Sequence, residues 1–390
     1  MKQILPKLRQ LNKHLSFAKK SFTKGGFRHI TNYIDGIVTI NKKTISKISK
    51  ASIDEKHHSA IGRILREARF DQDSLEKRYL NKIKYLAGDR FIWLMFDDTL
   101  VERNGNHIEE TKRHKAHSSD SFITGHQFFT SVIHTSLINL PLFPKLYSDN
   151  TESKIEMARD IIDKVMNAMP LKGVLFDSWY SEKQIFKKCI THHIKVVCAI
   201  KANRKISLGR GIWQKLSSFS NKVPEAKYAN HYIDEERYKI AQYKPKLNGI
   251  PRLKMLISRI YNEKTKKWKS PFHLVSTDKK DSPSQIIRHY NLRWIIEVYH
   301  RDIKQNLGFA SSFLQKREAI VSHAIFTAIA YAVLQLFMFY RGMKMTIGEC
   351  IAYIQDKEMN GFIQEIIEVE DKEERIAMFR EVFIRETAKV

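Results

Sequence analysis

The pattern of apolar and polar positions changes near residue 90. Before that point, apolar residues recur at helical spacing in short basic stretches such as 4–17 and 59–68, and glycines 25, 26 and 36 are expected to interrupt helices. Beyond it, apolar residues gather in short runs that are typical of buried strands. These runs cover residues 90–96, 126–134, 137–143, 173–176 and 194–200. Helical spacing over 153–169 and 181–190 separates the last three runs, so the order predicts a mixed α/β sheet with helices on both faces.

The remainder of the chain adds an insertion and a second helical part. Residues 201–275 are polar and basic with short alternating runs, which predicts a β-rich insertion. Helical spacing resumes over 284–307, after a proline that suits a first helical turn, and continues over 319–340. We therefore expect a helical N-terminal region, a core in two parts, an insertion between them and a helical C-terminal region. The predicted boundaries are 1–85, 86–200, 201–275, 276–342 and 343–390.

Charge is strong and unevenly placed along the chain. The formal net charge is +26; residues 1–50 hold 12 Lys or Arg against one acid, whereas residues 356–390 hold 10 acids against 6 bases. A coding bias toward lysine explains part of the total, but it would not sort the charges in this way. The natural partner of such a field is a polyanion, and we expect residues 1–85 to form a helical DNA-binding region.

Cysteine usage and hydropathy indicate a cytoplasmic protein. The three cysteines show no CxxC spacing, which suits a reducing compartment, and no secretion signal is read at the N-terminus. The apolar stretch 324–340 is shorter than the roughly 20 residues that span a bilayer. Thr327 and Gln335 also interrupt it, so we expect a buried core helix and no membrane partner.

Two aspartates directly follow apolar runs that predict strands. Asp97 comes after the run 90–96, and Asp177 comes after the run 173–176. A carboxylate at the carboxyl end of a buried strand is held rigidly where a ligand can reach it. The alternative is that each aspartate only caps the next helix.

Four polar side chains between residues 290 and 304 share one face of the predicted helix. Tyr290, Arg293, Glu297 and Lys304 lie at offsets 0, 3, 7 and 14, which fall within an arc of about 60° when each residue advances about 100°. Apolar residues occupy the neighbouring face. Glu and Lys at such spacings are common on solvated helices, but the full combination of four residue types is much rarer.

These four residues resemble the Y-(2)-R-(3)-E-(6)-K signature of a group of bacterial insertion-sequence transposases in the DDE superfamily. The resemblance extends over residues 90–340, including the order of elements and a β-rich insertion before the helix with the glutamate. It implies a ribonuclease-H-like mixed sheet flanked by helices as the catalytic core.

The two aspartates also resemble motifs of this family. Asp177, followed by Trp-Tyr at 179–180, is similar to the segment around the family's second aspartate, and Asp97-Asp98-Thr99 resembles the D-x-T around the first. Asp97 is preferred because Thr99 then lies two positions after it. Asp98 remains the alternative ligand.

The resemblance implies DNA cleavage at the ends of a mobile element and strand transfer to target DNA. Phosphodiester transfer of this kind uses two Mg²⁺ ions about 3.5–4 Å apart, held by carboxylates, and Mn²⁺ is an expected substitute. The expected catalytic residues and metal ligands are Asp97, Asp177 and Glu297. The expected DNA contacts are Tyr290, Arg293, Arg301 and Lys304.

The expected partners are double-stranded terminal inverted repeats, target DNA and a second copy of the chain in the synaptic complex. A bacterial protein associated with the nucleoid is implied. Two alternatives remain open. One is a nuclease of the same fold that cuts without joining; the other is an inactive, transposase-derived DNA-binding protein.

Overall fold

The fold is described from a computed structural model that covers residues 8–51, 58–67, 69–105, 107–115, 122–209, 211–373 and 375–376. The helices are α1 (Arg9–Asn12), α2 (Lys24–Thr39), α3 (Ile45–Ala51), α4 (His58–Glu67), α5 (Gln72–Ala87), α6 (Lys154–Ala168), α7 (Lys183–Thr191), α8 (Leu216–Ser220), α9 (Pro283–Asn291), α10 (Trp294–Gln305), α11 (Arg317–Tyr340) and α12 (Ile347–Glu368). Short 3-10 helices cover Lys13–Ser21, Ser178–Tyr180 and Glu225–Lys227.

Strands follow one another through the middle of the chain. They are β1 (Ile92–Glu102), β2 (Lys112–Lys115), β3 (Phe122–His134), β4 (Asn139–Pro141), β5 (Lys145–Tyr147), β6 (Leu171–Phe176), β7 (Lys195–Ala199), β8 (Lys205–Ser207), β9 (Gln214–Lys215), β10 (Ala229–Ile233), β11 (Glu236–Tyr243), β12 (Lys246–Leu247), β13 (Lys254–Asn262), β14 (Lys267–Trp268) and β15 (Phe272–Ser276).

The main sheet is mixed, as the order of apolar runs predicts. β1 lies between β3 and β6, antiparallel to β3 and parallel to β6, and β6 is parallel to β7. The parallel connections pass through α6 and α7, which is the crossover that parallel strands require. β4 and β5 pair with β3 on the other side. The predicted fold class is confirmed as a mixed α/β sheet flanked by helices.

The β-rich insertion extends this sheet. β15 pairs with β7, and the sheet continues from β15 through β13 and β11 to β10. Only the small three-stranded sheet of β12, β8 and β9 stands apart among the residues described. The predicted boundary at 275/276 therefore falls inside β15, because the insertion returns to the core through that strand.

Three local expectations are wrong. The strand predicted over 90–96 continues to Glu102, because residues 97–102, most of them polar, still pair with β3. The helix predicted over 284–307 is divided into α9 and α10 at residues 292–293, which keep helical dihedrals but make tighter bonds to residues three positions before them. The glycines at 25, 26 and 36 lie inside α2 and do not interrupt it. Gly36 is a close-packing position, because a Cβ there would lie 2.4 Å from Ile48 Cγ2 of α3.

The N-terminal helices pack on α11, which is the long core helix. Tyr33 of α2 is hydrogen-bonded through its hydroxyl to His323 Nδ1 of α11 at 2.8 Å, and Tyr79 of α5 donates to the Pro141 carbonyl at 2.8 Å. Among the residues described, α11 is the one helix long and apolar enough to cross a membrane, and 89% of its apolar window is buried inside the fold. It serves here as the core helix that the sequence predicts.

The two ends of the chain are helical where they are described. The basic stretch 4–17 corresponds to α1 and the 3-10 helix after it, with residues 4–7 outside the described residues. α12 supplies the predicted C-terminal helix. Part of the acidic terminal segment 356–390, at 374 and 377–390, likewise lies outside the described residues.

Candidate active site

Strand register brings the two predicted aspartates side by side. Met95 of β1 pairs with Leu175 of β6 in parallel register, so Asp97 and Asp177 each lie two residues further along neighbouring strands. β6 ends at Phe176, and Asp177 turns the chain into a 3-10 helix by accepting from the Trp179 amide at 2.8 Å. Asp177 thus caps a short helix and also lies at the carboxyl end of a parallel strand, where a ligand can reach it.

The helix that carries Glu297 is placed against this edge by specific local contacts. Ser282 and Gln285 form a capping box at the start of α9, with Pro283 in the first turn. Further along, Thr130 of β3 donates its hydroxyl proton to the Asp97 carbonyl at 3.0 Å. Thr130 therefore accepts from Nε2 of His300, 2.6 Å away, which fastens α10 to the sheet beside Asp97.

Arg293 joins the first and third predicted acids. Its Nη1 lies 3.3 Å from Asp97 Oδ2 and 2.9 Å from Glu297 Oε1. The guanidinium also lies over the ring of Tyr290, with 5.5 Å between its Cζ and the ring centroid. The side chain of Arg293 is only 15% exposed, whereas that of Glu297 is 38% exposed. Arg293 thus contacts Tyr290, Glu297 and Asp97 as one partly buried cation.

Burial and crowding of like charges alter the pKa values of the two aspartates. Burial raises the pKa of Asp97 to about 7, and the negative charge of Asp177 adds to this, while Arg293 acts in the opposite direction. Burial also raises the pKa of Asp177, opposed by the backbone amides of Trp179 and Tyr180 and by Arg293. A cation bound beside two such carboxylates would stabilise their charged forms.

Asp98 lies in a different environment from Asp97. Consecutive strand residues point to opposite faces of a sheet, so Asp98 faces α6 while Asp97 faces α10. Asp98 forms an ion pair with Lys154 at 3.2 Å, accepts from the Tyr180 hydroxyl at 3.0 Å and accepts from the Gln127 amide. Its oxygens are therefore engaged by groups of the protein, whereas Asp97 shares its cation with Glu297.

The other predicted DNA contacts lie on α10 and at the end of α9. Lys304 donates from Nζ to the Leu100 carbonyl of β1 at 2.9 Å, and burial lowers the pKa of its ammonium group. Arg301 is half exposed and lies 3.5 Å from Asp302. Tyr290 lies at the end of α9, with its ring 5.5 Å from that of Phe272. Arg293 and Lys304 are thus both bonded to β1, and Arg301 is half exposed to solvent.

Several residues around the site are not apparent from the sequence. Lys154 resembles a solvated lysine in a first helical turn, yet it is buried and lies 4.1 Å from the centroid of the Trp179 ring. Burial lowers the pKa of His300 to about 3, so this imidazole is neutral. Its place three residues after Glu297 was a usable signal for His300; Lys154 and Thr130 offered none, because their roles depend on contacts between distant segments.

The carboxylates of Asp97, Asp177 and Glu297 fit a hard divalent cation by the chemistry of their oxygens. In this structure Arg293 contacts two of them, Asp97 and Glu297. Carboxylate oxygens are the ligands that Mg²⁺ prefers. Within the part of the chain that the structure describes, no three His, Cys, Asp or Glu side chains lie close enough to form a metal-binding group. The Arg293 guanidinium stands between Asp97 and Glu297 and supplies positive charge there. Asp97 and Glu297, which already share the positive charge of Arg293, are therefore compatible with a metal ion.

The fold is a mixed α/β sheet flanked by helices, with two aspartates side by side where neighbouring parallel strands end. Residues 94–333 match the family described as the transposase DDE domain, and the chain belongs to this family. A search of curated proteins finds no match to the sequence. Among solved structures, the chain is similar to the piggyBac transposase in a cryo-EM synaptic complex with hairpin DNA, with 12% identity and a TM-score of 0.46 over 100% of this chain and 87% of that one.

Proposed function

We propose that this protein is a DNA transposase that cleaves the ends of a mobile element and transfers the cut strands to target DNA. The observation that carries the proposal is the contact of Asp97 and Glu297 with one buried cation, beside Asp177. These acids come from a central strand, the end of its parallel neighbour and a helix after the insertion. Such a meeting of distant carboxylates is typical of a site for phosphodiester transfer.

Asp97, Asp177 and Glu297 are the proposed catalytic residues and would hold two Mg²⁺ ions, with Mn²⁺ as a substitute. When bound, these ions would stabilise charge on the attacking and leaving oxygens of the phosphodiester. Asp97 is the proposed ligand from the pair 97–98, because Lys154, Tyr180 and Gln127 engage Asp98 on the other face of β1.

The reaction itself needs no nucleophile from the protein. In cleavage, water attacks the phosphorus and the bond to the DNA 3′-oxygen breaks, which leaves a 3′-hydroxyl. In transfer, that hydroxyl attacks a phosphodiester of the target DNA and displaces its 3′-oxygen. Arg293, Lys304 and Arg301 would orient the phosphates by charge-assisted hydrogen bonds, and Tyr290 would donate a further hydrogen bond.

The proposed partners are terminal inverted repeats and target DNA in duplex form. Exposed basic side chains of the N-terminal helices would contact the phosphate backbone of the DNA ends; they include Lys19, Lys20, Lys24 and Arg28. Two ends must be joined in one complex, so a homodimer is proposed for the synaptic state. The proposed location is the bacterial cytoplasm, in association with the nucleoid.

The test is nicking of a duplex that carries the element's own ends, with purified protein and Mg²⁺. The Asp97→Asn, Asp177→Asn and Glu297→Gln variants should each lose nicking by 10²-fold or more while they retain DNA binding, because each would lose a metal ligand. Glu318→Gln, at an exposed position at the start of α11, is the matched control and should nick normally.

Two results would count against the proposal. Normal nicking by Glu297→Gln would eliminate the site. Nicking by the wild-type protein without joining of pre-cut ends to a target plasmid would leave a nuclease of this fold as the function.

A further inference from the structure

The cation between Asp97 and Glu297 belongs to the protein itself. We propose that Arg293 competes with the metal for these carboxylates until DNA supplies a phosphate for its guanidinium, so that DNA binding raises the affinity of the site for metal. This inference rests on the proposed function, since it concerns the same site. It adds an order of events: phosphate contact first, and full metal affinity afterwards.

The competition follows from which atoms Arg293 occupies. A single nitrogen, Nη1, serves Asp97 Oδ2 at 3.3 Å and Glu297 Oε1 at 2.9 Å. A metal ion that bound both oxygens would take the place of that nitrogen, because ligand oxygens must approach Mg²⁺ to about 2.0–2.1 Å. Metal binding therefore requires Arg293 to withdraw from at least one of the acids.

Withdrawal of Arg293 is costly in the free protein. Its side chain is only 15% exposed, and a buried charge that loses its partner is strongly destabilising. Its other neighbours are the ring of Tyr290, which is a weak substitute for a carboxylate, and Asp177, which is itself a proposed metal ligand. The free protein thus favours the state in which Arg293 neutralises the acids.

A DNA phosphate removes this cost. Guanidinium and phosphate form paired, charge-assisted hydrogen bonds, and Arg is suited to them by its planar set of donors. One of those donors, Nε of Arg293, is buried and has no hydrogen-bond partner among the residues described. The guanidinium therefore has donor capacity that its two carboxylate contacts leave unused.

A purely structural role for Arg293 is the competing explanation. Arg293 and Glu297 are four residues apart, and such pairs commonly support a helix. The contact with Asp97 of β1 and the unused Nε donor are not explained by that role. The two explanations differ in the coupling that they require. Competition requires that DNA raise the metal affinity through Arg293, whereas a purely structural role requires no dependence of that coupling on Arg293.

The experiment measures Mn²⁺ binding to the full-length protein by electron paramagnetic resonance, with and without a 30-base-pair duplex, and with a DNA-only blank. For the wild type we expect the duplex to raise Mn²⁺ affinity by about tenfold, within the usual range of coupling between sites. Arg293→Gln should bind Mn²⁺ about tenfold more tightly than the wild type without DNA, and the duplex should add little. Arg293→Lys, which keeps the charge but not the planar donors, should fall between them.

Arg288→Gln is the matched control, because it removes the same charge at an exposed position of the neighbouring helix α9, where Arg288 pairs with Asp234 and contacts neither Asp97 nor Glu297. It should behave as the wild type. Unchanged or weaker Mn²⁺ affinity in a folded Arg293→Gln protein without DNA would overturn the inference, and so would an equal gain in Arg288→Gln. A different result would count against the proposed function itself: Asp97→Asn and Glu297→Gln proteins that bind Mn²⁺ as tightly as the wild type.

Discussion

At the scale of single residues, Asp97 is held between opposing influences. Burial and the charge of Asp177 favour its neutral form, whereas Arg293 and the Asp98 amide favour its charged form. Asp98, one position later, has Lys154, Tyr180 and Gln127 as partners. The sequence could not separate these adjacent aspartates. Their difference arises from the elements that pack on the two faces of β1, and those contacts are long-range.

The raised pKa of Asp97 predicts a dependence of stability on pH. Its folded pKa of about 7 lies above the ordinary value of 3.8, so between these values the folded chain binds more protons at this group than the unfolded chain. The free energy of unfolding therefore decreases as pH rises through this window. Asp97→Asn removes the effect, and it should raise stability at about pH 8 by on the order of 2 kcal/mol.

Thermal unfolding across pH 4 to 8 checks this expectation. The melting temperature of Asp97→Asn should exceed that of the wild type at the upper end, and the two should converge toward pH 4. Asp149→Asn, at an 88% exposed side chain, is the control and should change the melting temperature little. A lower melting temperature for Asp97→Asn at pH 8 would show that burial of the charge is not costly there.

At the scale of elements, local signals predict some boundaries well and others poorly. α6 starts at Ser153 with a capping box to Glu156, and the predicted helix 153–169 matches it closely. β1 was predicted too short, because residues 97–102 are mostly polar and only their pairing with β3 keeps them extended. Gly125 of β3 allows that pairing, since a Cβ there would lie 2.2 Å from the Val101 carbonyl oxygen.

The division between α9 and α10 had no local signal. Neither glycine nor proline marks residues 292–293, and both residues keep helical dihedrals. The residue spacing still identified Tyr290, Arg293, Glu297 and Lys304 as a group. The contact of Arg293 with Asp97, 196 positions away, depends on how α10 packs on the sheet, and the spacing along one helix carries no information about that.

At the scale of the whole molecule, the N-terminal region is joined to the core. Tyr33 bonds to α11 and Tyr79 bonds to the last residue of β4, and apolar residues of α2 and α4 are buried with α11. Deletion of residues 1–85 would therefore expose the core and could not isolate a role in DNA binding. The extension of the sheet by β15, β13, β11 and β10 was equally hidden, because sheet order is set by pairing between distant segments.

Removal of positive charge from the N-terminal surface tests the role of this region in DNA binding without disturbing the core. Replacement of Lys19, Lys20, Lys24 and Arg28 by Gln should weaken binding to the element ends and make the salt dependence shallower. Each lost phosphate contact changes the slope of log K against log salt by about 0.9. Four substitutions should therefore reduce the slope by as much as about 3 to 4, as measured by fluorescence anisotropy titrations at several salt concentrations.

The matched control places the same change of charge in the β13–β14 hairpin. It replaces four exposed lysines, Lys264, Lys266, Lys267 and Lys269. A smaller effect is expected there, because these residues lie outside the proposed DNA-binding region. An unchanged slope in the N-terminal variant, together with unchanged affinity, would remove residues 1–85 from the DNA interface.

The proposed function depends most on where the divalent metal binds. Anomalous diffraction from crystals of the protein with DNA and Mn²⁺ locates that metal directly. The predicted result is anomalous density in contact with carboxylate oxygens of Asp97, Asp177 and Glu297, with Arg293 turned from these acids toward a phosphate. Mn²⁺ bound at other side chains, with those three carboxylates free of metal, would contradict the account.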